Sequence, residues 1–202
     1  SNGMFQRQFL GMDTNPIRDV DLRTRALAQD LIATMRYAVL SVFDAPHGYP
    51  HLSRIAAQSD PDGTPLAFLS EIATHTRLLE TNPRAGLLIE AAPESKGDAM
   101  AQARMTLQVV ARRMSNDTPD HAARLASWVA HNPKAKAYAQ LPDFHFWRLE
   151  PHGGLLNAGF GQAYVLQPSE LNKISPDRNR PGAIGTTCEG RSSPVRPCGH
   201  GW

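Results

Sequence analysis

The sequence predicts a mainly β domain with peripheral helices, organised as a closed or partly closed antiparallel barrel. Two observations predict it. About seven short apolar segments, with β-branched and aromatic weight, follow one another through mostly hairpin-length connections. The repeated strand–helix–strand spacing that a parallel doubly wound sheet requires is absent.

Taken in order, Asn15-Pro16 reads as an N-cap followed by proline at the first helical position. Leu27, Leu31 and Met35 recur four apart, so residues 16–36 are expected to form an amphipathic helix. A strand over 38–43 follows, then a loop at Asp44–Gly48 and a strand from His51 to Ser59. Asp60-Pro61-Asp62-Gly63 is a hairpin turn, with proline and glycine where turns use them. Leu66 to Ser70 is the returning strand. A short helix from Thr74 to Thr81 is stopped by Asn82-Pro83. Strands are expected at 85–91 and 104–113, on either side of a polar loop through Lys96-Gly97-Asp98. Thr118-Pro119 opens a second helix with Ala122, Leu125 and Val129 on its apolar face, and Asn132-Pro133 closes it. Phe144 to Leu149 is a strand that Gly153-Gly154 turns, followed by a strand pair at Leu155-Leu156 and 163–166 and a short helix from Pro168. The domain is placed at 16–171. Ser1-Asn2-Gly3 before Met4 reads as an expression scar within an N-terminal extension, 1–15, and 172–202 as an irregular tail.

Charge supports that division. The 202 residues carry 21 Lys and Arg against 19 Asp and Glu. Residues 172–202 hold five of the basic and two of the acidic residues, a local charge of +3, leaving −1 for the rest. A near-neutral body with no basic stripe argues against nucleic acid as a partner. Both cysteines, Cys188 and Cys198, lie in the tail, so the body holds no disulfide framework, iron–sulfur centre or thiol nucleophile. No apolar run approaches the roughly 18 residues that span a bilayer, and no signal-peptide pattern opens the chain, so a cytoplasmic, non-membrane protein is expected.

Chemistry is most legible at 69–84. Ser70, Thr74, His75, Thr76 and Arg77 fall at a strand end and on the first turn of a helix, where unpaired N–H groups and the helix dipole favour an anion such as a phosphate monoester. The competing reading is a plain capped helix, with Thr74 as the cap and His75 and Arg77 solvated. Arg54, between apolar neighbours in a strand, and Arg104, opening another, either join that anion site or serve as structural ion pairs or edge charges. His121 and His131 lie too far apart on one helix to share a metal, and His145 and His152 lack metal spacing and read as structural or solvated. Cys188, Cys198 and His200 do not match a zinc spacing, so no metal is assigned. Trp128 and Trp147 are expected in cores or at a dimer interface.

The order of these segments resembles the FMN-binding split-barrel family related to pyridoxamine 5′-phosphate oxidase, and within it the bacterial haem-utilisation proteins. The resemblance rests on Ser53-Arg54, Asp62-Gly63, Leu69-Ser70, His75-Thr76-Arg77, Asn82-Pro83-Arg84, Arg104-Met105-Thr106-Leu107 and Gly159-Phe160-Gly161-Gln162-Ala163-Tyr164. It implies a six-stranded antiparallel Greek-key split barrel, a homodimer, and FMN in the cleft between subunits. Arg54, Ser70, His75, Thr76 and Arg104 would then surround the flavin phosphate, with Thr74 and Arg77 beside them. The implied function is an FMN-dependent oxidoreductase acting on a small or planar organic molecule. Two alternatives accompany it: a haem-binding or haem-degrading protein, and a flavin-binding dimer without turnover.

Overall fold

The computed structural model describes residues 17–92, 98–159 and 161–171. The N-terminal scar, the Asn15-Pro16 cap, the Lys96-Gly97 loop, Phe160 and the tail with both cysteines lie outside the described residues.

Eight strands and four helices follow in the order β1 (Ile17–Arg18), α1 (Leu22–Thr34), β2 (Tyr37–Asp44), β3 (Tyr49–Ser59), β4 (Pro65–Ser70), α2 (Thr74–Thr81), β5 (Arg84–Glu90), β6 (Arg104–Arg113), α3 (His121–His131), β7 (Phe144–Asn157), β8 (Ala163–Leu166) and α4 (Pro168–Leu171). Short 3₁₀ turns occur at Ala99–Ala101 and Pro133–Ala137. Strands β2, β3, β4, β7, β6 and β5 pair antiparallel in that order, and β5 pairs back to β2, closing a six-stranded barrel. The sequence-predicted mainly β split barrel with peripheral helices is therefore the observed architecture.

Alternation along each strand builds the interior. Ala38, Leu40 and Val42 of β2, Ile55 and Ala57 of β3, Leu87 and Ile89 of β5, and Met105, Leu107 and Val109 of β6 are all buried and share one core. Helix α1 packs Ala28, Leu31 and Ile32 onto it, and Met35 at its C-cap joins them. The other face of β4 and β7 forms a second core, where Leu66, Phe68 and Phe146 meet Trp128 of α3. The Phe68 and Phe146 rings lie 4.5 Å apart between centroids. Trp128 is thus in this outer core and Trp147 in the barrel.

Three expectations need correction. The first helix begins at Leu22, because Asp21 accepts a hydrogen bond from the Thr24 N–H at 2.7 Å and caps it. Ile17–Arg18 instead pairs parallel with Ala163 and Tyr164 of β8. The second helix begins at His121 with Asp120 at its cap position, two residues beyond Pro119. Gly153-Gly154 does not turn the chain: β7 runs unbroken through both and pairs with β4, β6 and β8 in succession. Gly154 is there for contact. A Cβ on it would lie 2.7 Å from Leu107 Cδ2 and 2.9 Å from the Thr106 carbonyl oxygen.

The predicted hairpin turn does form. Asp60 N–H donates to the Thr64 carbonyl at 2.8 Å, Gly63 N–H donates to the Asp60 carbonyl at 2.9 Å, and Gly63 takes φ +88°. No helix among the described residues is long and apolar enough to cross a membrane.

Candidate functional site

Two regions hold the residues singled out from the sequence. The first is the junction of β3, the end of β4 and the first turn of α2. Ala73, and not Thr74, is the N-cap, and no side chain caps the helix. The Ala73 carbonyl accepts from Thr76 N–H at 3.1 Å and Arg77 N–H at 3.2 Å. His75 Nδ1 lies 3.1 Å from Ser53 Oγ. Burial, reinforced by the nearby His51, pushes the His75 pKa below its ordinary value and so favours the neutral imidazole. Thr76 is buried and its hydroxyl has no hydrogen-bond partner among the described residues.

Carboxylates flank this junction. The Ser70 hydroxyl donates to Asp143 Oδ2 at 2.5 Å. Glu71 Oε1 lies 2.9 Å from His145 Nε2 and also pairs with Arg113, which reaches Glu80 at 3.3 Å. Arg77 is turned back, its guanidinium donating to the Ile72 carbonyl at 2.7 Å. Thr74 is exposed.

The second region is the outer face of the barrel over β2, β3, β5 and β6. Pairing sets its rows: Arg54 lies opposite Val39, which lies opposite Leu88, which lies opposite Thr106. Arg54 stacks over the Tyr37 ring at 5.1 Å. Arg104 opens β6 on the same face and donates to the Met100 and Gln102 carbonyls at 3.1 and 3.4 Å. Exposed Tyr37, Phe43 and Leu52 make the β2–β3 part of the face apolar. Next to Phe43 is a pocket of about 480 Å³, walled by Pro50, Gly86 and Val110 and rimmed by Arg84, Gln108 and His152. The Arg84 guanidinium has no hydrogen-bond or ion-pair partner among the described residues.

The structure thus splits the seven predicted residues. Arg54 and Arg104 share the outer face. His75 and Thr76 share the α2 junction, Ser70 is bound to Asp143, and Thr74 and Arg77 stand on exposed helix surface. Sequence reasoning missed Asp143 as the Ser70 partner, Ser53 as the His75 partner, and the Arg84 pocket. In the sequence Arg84 figured only in the Asn82-Pro83-Arg84 segment. Only strand pairing shows what lies beside it.

A profile of the pyridoxamine 5′-phosphate oxidase family matches residues 25–157. The chain belongs to that family. Within it, the chain is 36% identical over 128 residues to heme oxygenase HOZ, chloroplastic, of Arabidopsis thaliana, covering 63% of this chain and 38% of that protein. It is 32% identical over 134 residues to heme oxygenase HutZ of Vibrio cholerae, covering 65% of this chain and 74% of that one. A solved heme-binding protein from Mycobacterium smegmatis superposes with a TM-score of 0.66 at 27% identity, over 75% of this chain and 61% of the other. The match therefore spans less than half of the Arabidopsis relative's length.

Two groups suit this family's cleft, and the residues present fit them differently. A flavin phosphate needs donors converging on one dianion. Here Asp143 would face that dianion across Ser70, while Arg77 and Arg104 are spent on main-chain carbonyls and Arg54 stacks on Tyr37. The described side chains form no single phosphate cradle. Haem asks for a broad apolar surface with cations at its margin for two carboxylates. The outer face, with its aromatic strip and free Arg84, supplies both. Among the described residues, no group of three or more His, Cys, Asp and Glu side chains is placed to hold a bare metal ion.

Proposed function

We propose that this chain binds haem on the outer face of the barrel, between two copies of itself, and that its reaction is oxidative attack on the bound ring. One observation carries the reading: the apolar outer-face pocket of about 480 Å³ is rimmed by a guanidinium that nothing among the described residues neutralises. Ligand pockets run from about 300 to 1,000 Å³, so this one suits part of a large planar ring, with the remainder against a second copy. Phe43 and Pro50 offer apolar contact, and Arg84 offers paired donors for a propionate. The relatives named as heme oxygenases and as a heme-binding protein support the choice of haem over flavin.

A homodimer follows from the same face. Tyr37, Phe43 and Leu52 expose an apolar strip on the outer face of the β2–β3 hairpin, of the kind that monomers cover. When bound, haem supplies the redox chemistry. The chain's own part is to hold the ring, orient it and exclude water.

Titration of haemin into the purified protein tests the reading. The expected result is a saturable Soret band, followed by loss of that band with reductant and oxygen. A protein that leaves the haemin spectrum unchanged overturns it. A Soret band that persists under reductant and oxygen keeps the binding and removes the turnover. A yellow preparation that releases FMN on denaturation would return the flavin reading to first place.

A further inference from the structure

Strand β7 carries an irregularity beside the outer-face pocket. Gln108 of β6 pairs with Gly153, but the next residue, Val109, pairs with Pro151. His152 is therefore the extra residue of a β-bulge, with no opposite number on β6. A bulge re-aims the side chain it carries, and bulges are frequent beside binding sites. This one presents His152 to the rim of the outer-face pocket, across from Phe43, Pro50 and Gly86.

Its imidazole is also unlike the others. Five of the seven described histidines make a hydrogen bond, ion pair or ring contact within the chain, and His51 interacts electrostatically with one of them. His47 pairs with Asp44, His75 bonds Ser53 and interacts with His51, His121 packs edge-on to Phe146, His131 bonds the Ser127 carbonyl, and His145 pairs with Glu71. Among the described residues His152 has no hydrogen bond, ion pair or ring contact. A free imidazole at the edge of an apolar pocket, next to a free guanidinium, matches two ends of an iron tetrapyrrole. Imidazole nitrogen is a common axial ligand of haem iron, and guanidinium is a strong carboxylate donor. Gly86 helps, because the pocket floor there is bare main chain and a flat ring can approach it closely.

We infer that His152 is the protein's ligand to haem iron in this pocket and that Arg84 anchors a propionate of the same haem. This rests on the haem reading above and adds the residues to it. His152 is exposed and outside both cores, so its replacement leaves the barrel intact.

The test uses the full chain and reads binding spectra, not turnover. Wild type, His152→Ala and Arg84→Ala are titrated with haemin, and the ferric forms are compared by absorbance and electron paramagnetic resonance. The expected result for His152→Ala is a shifted Soret band, loss of the nitrogen-ligated ferric signal and roughly tenfold or greater weakening. Added free imidazole should restore the wild-type spectrum. Arg84→Ala should weaken binding with the spectrum unmoved. A His152→Ala protein that binds haemin with the wild-type spectrum overturns the assignment and leaves the haem reading standing. A wild-type chain that gives no Soret band overturns both.

Discussion

Gly154 shows how one missing side chain can fix a strand. Its position in β7 brings the main chain against Leu107 and the Thr106 carbonyl so closely that a methyl group has no room. Gly154→Ala should destabilise the barrel by about 1–3 kcal/mol through overpacking, read as a lower urea midpoint at unchanged slope. An unchanged midpoint would show that Leu107 yields without cost. From sequence this glycine looked like half of a turn, because a Gly-Gly pair usually is one. What distinguishes the two uses is a neighbour almost fifty residues away in the chain, which no local pattern contains. His152 poses the same problem. Its type is visible, but the bulge that frees it exists only as a mismatch between two paired strands.

At the scale of elements, the β3–β4 turn is locked to the rest of the fold by a charged clasp. Asp60, buried at 6% exposure, pairs with Arg148 of β7 and lies 3.5 Å from Arg124 of α3. Arg148 also bonds Asp62 at 2.8 Å and the Thr64 hydroxyl at 2.9 Å. Partial burial would raise the Asp62 pKa, but the hydrogen bonds from Arg148 and Thr64 outweigh it and hold the carboxyl below its ordinary value. The two carboxylates are not equivalent. Asp60→Asn removes the buried partner of two arginines and should cost about 2–3 kcal/mol in urea unfolding. Asp62→Asn, at a side chain 57% exposed, should cost less than about 1 kcal/mol. Equal losses would mean that the clasp does not depend on Asp60. The turn's shape was legible from Asp-Pro-Asp-Gly. Its partners were not, since Arg148 lies on a strand far along the chain.

For the whole molecule, the outer face decides assembly. Leu52 is 62% exposed and Phe43 50%, both on the β2–β3 hairpin and both facing away from the barrel core. The proposed dimer should appear as twice the subunit mass by light scattering, and Leu52→Glu should shift it to the monomer while the far-ultraviolet circular dichroism stays unchanged. A wild-type chain that remains monomeric at concentrations where haemin saturates it would remove the second copy from the proposal. The face also explains why the predicted anion set divides. Arg54 alternates with Ser53 along β3, so the two side chains leave opposite sides of the strand, and a cradle joining Arg54 to His75 would have to pass through the sheet.

The sequence by itself determined the antiparallel β character, the hairpin at Asp60–Gly63, the helix at 74–81 and the strand at 104–113, because periodicity and turn chemistry are properties of neighbours along the chain. It also picked out residues suited to anions. Tertiary structure decided which of them stand together. Closing the barrel put Asp143 on Ser70, set Arg84 beside Phe43, and gave β7 a bulge at His152. Those juxtapositions depend on register between strands distant in sequence, and register is fixed by the packing of the whole core.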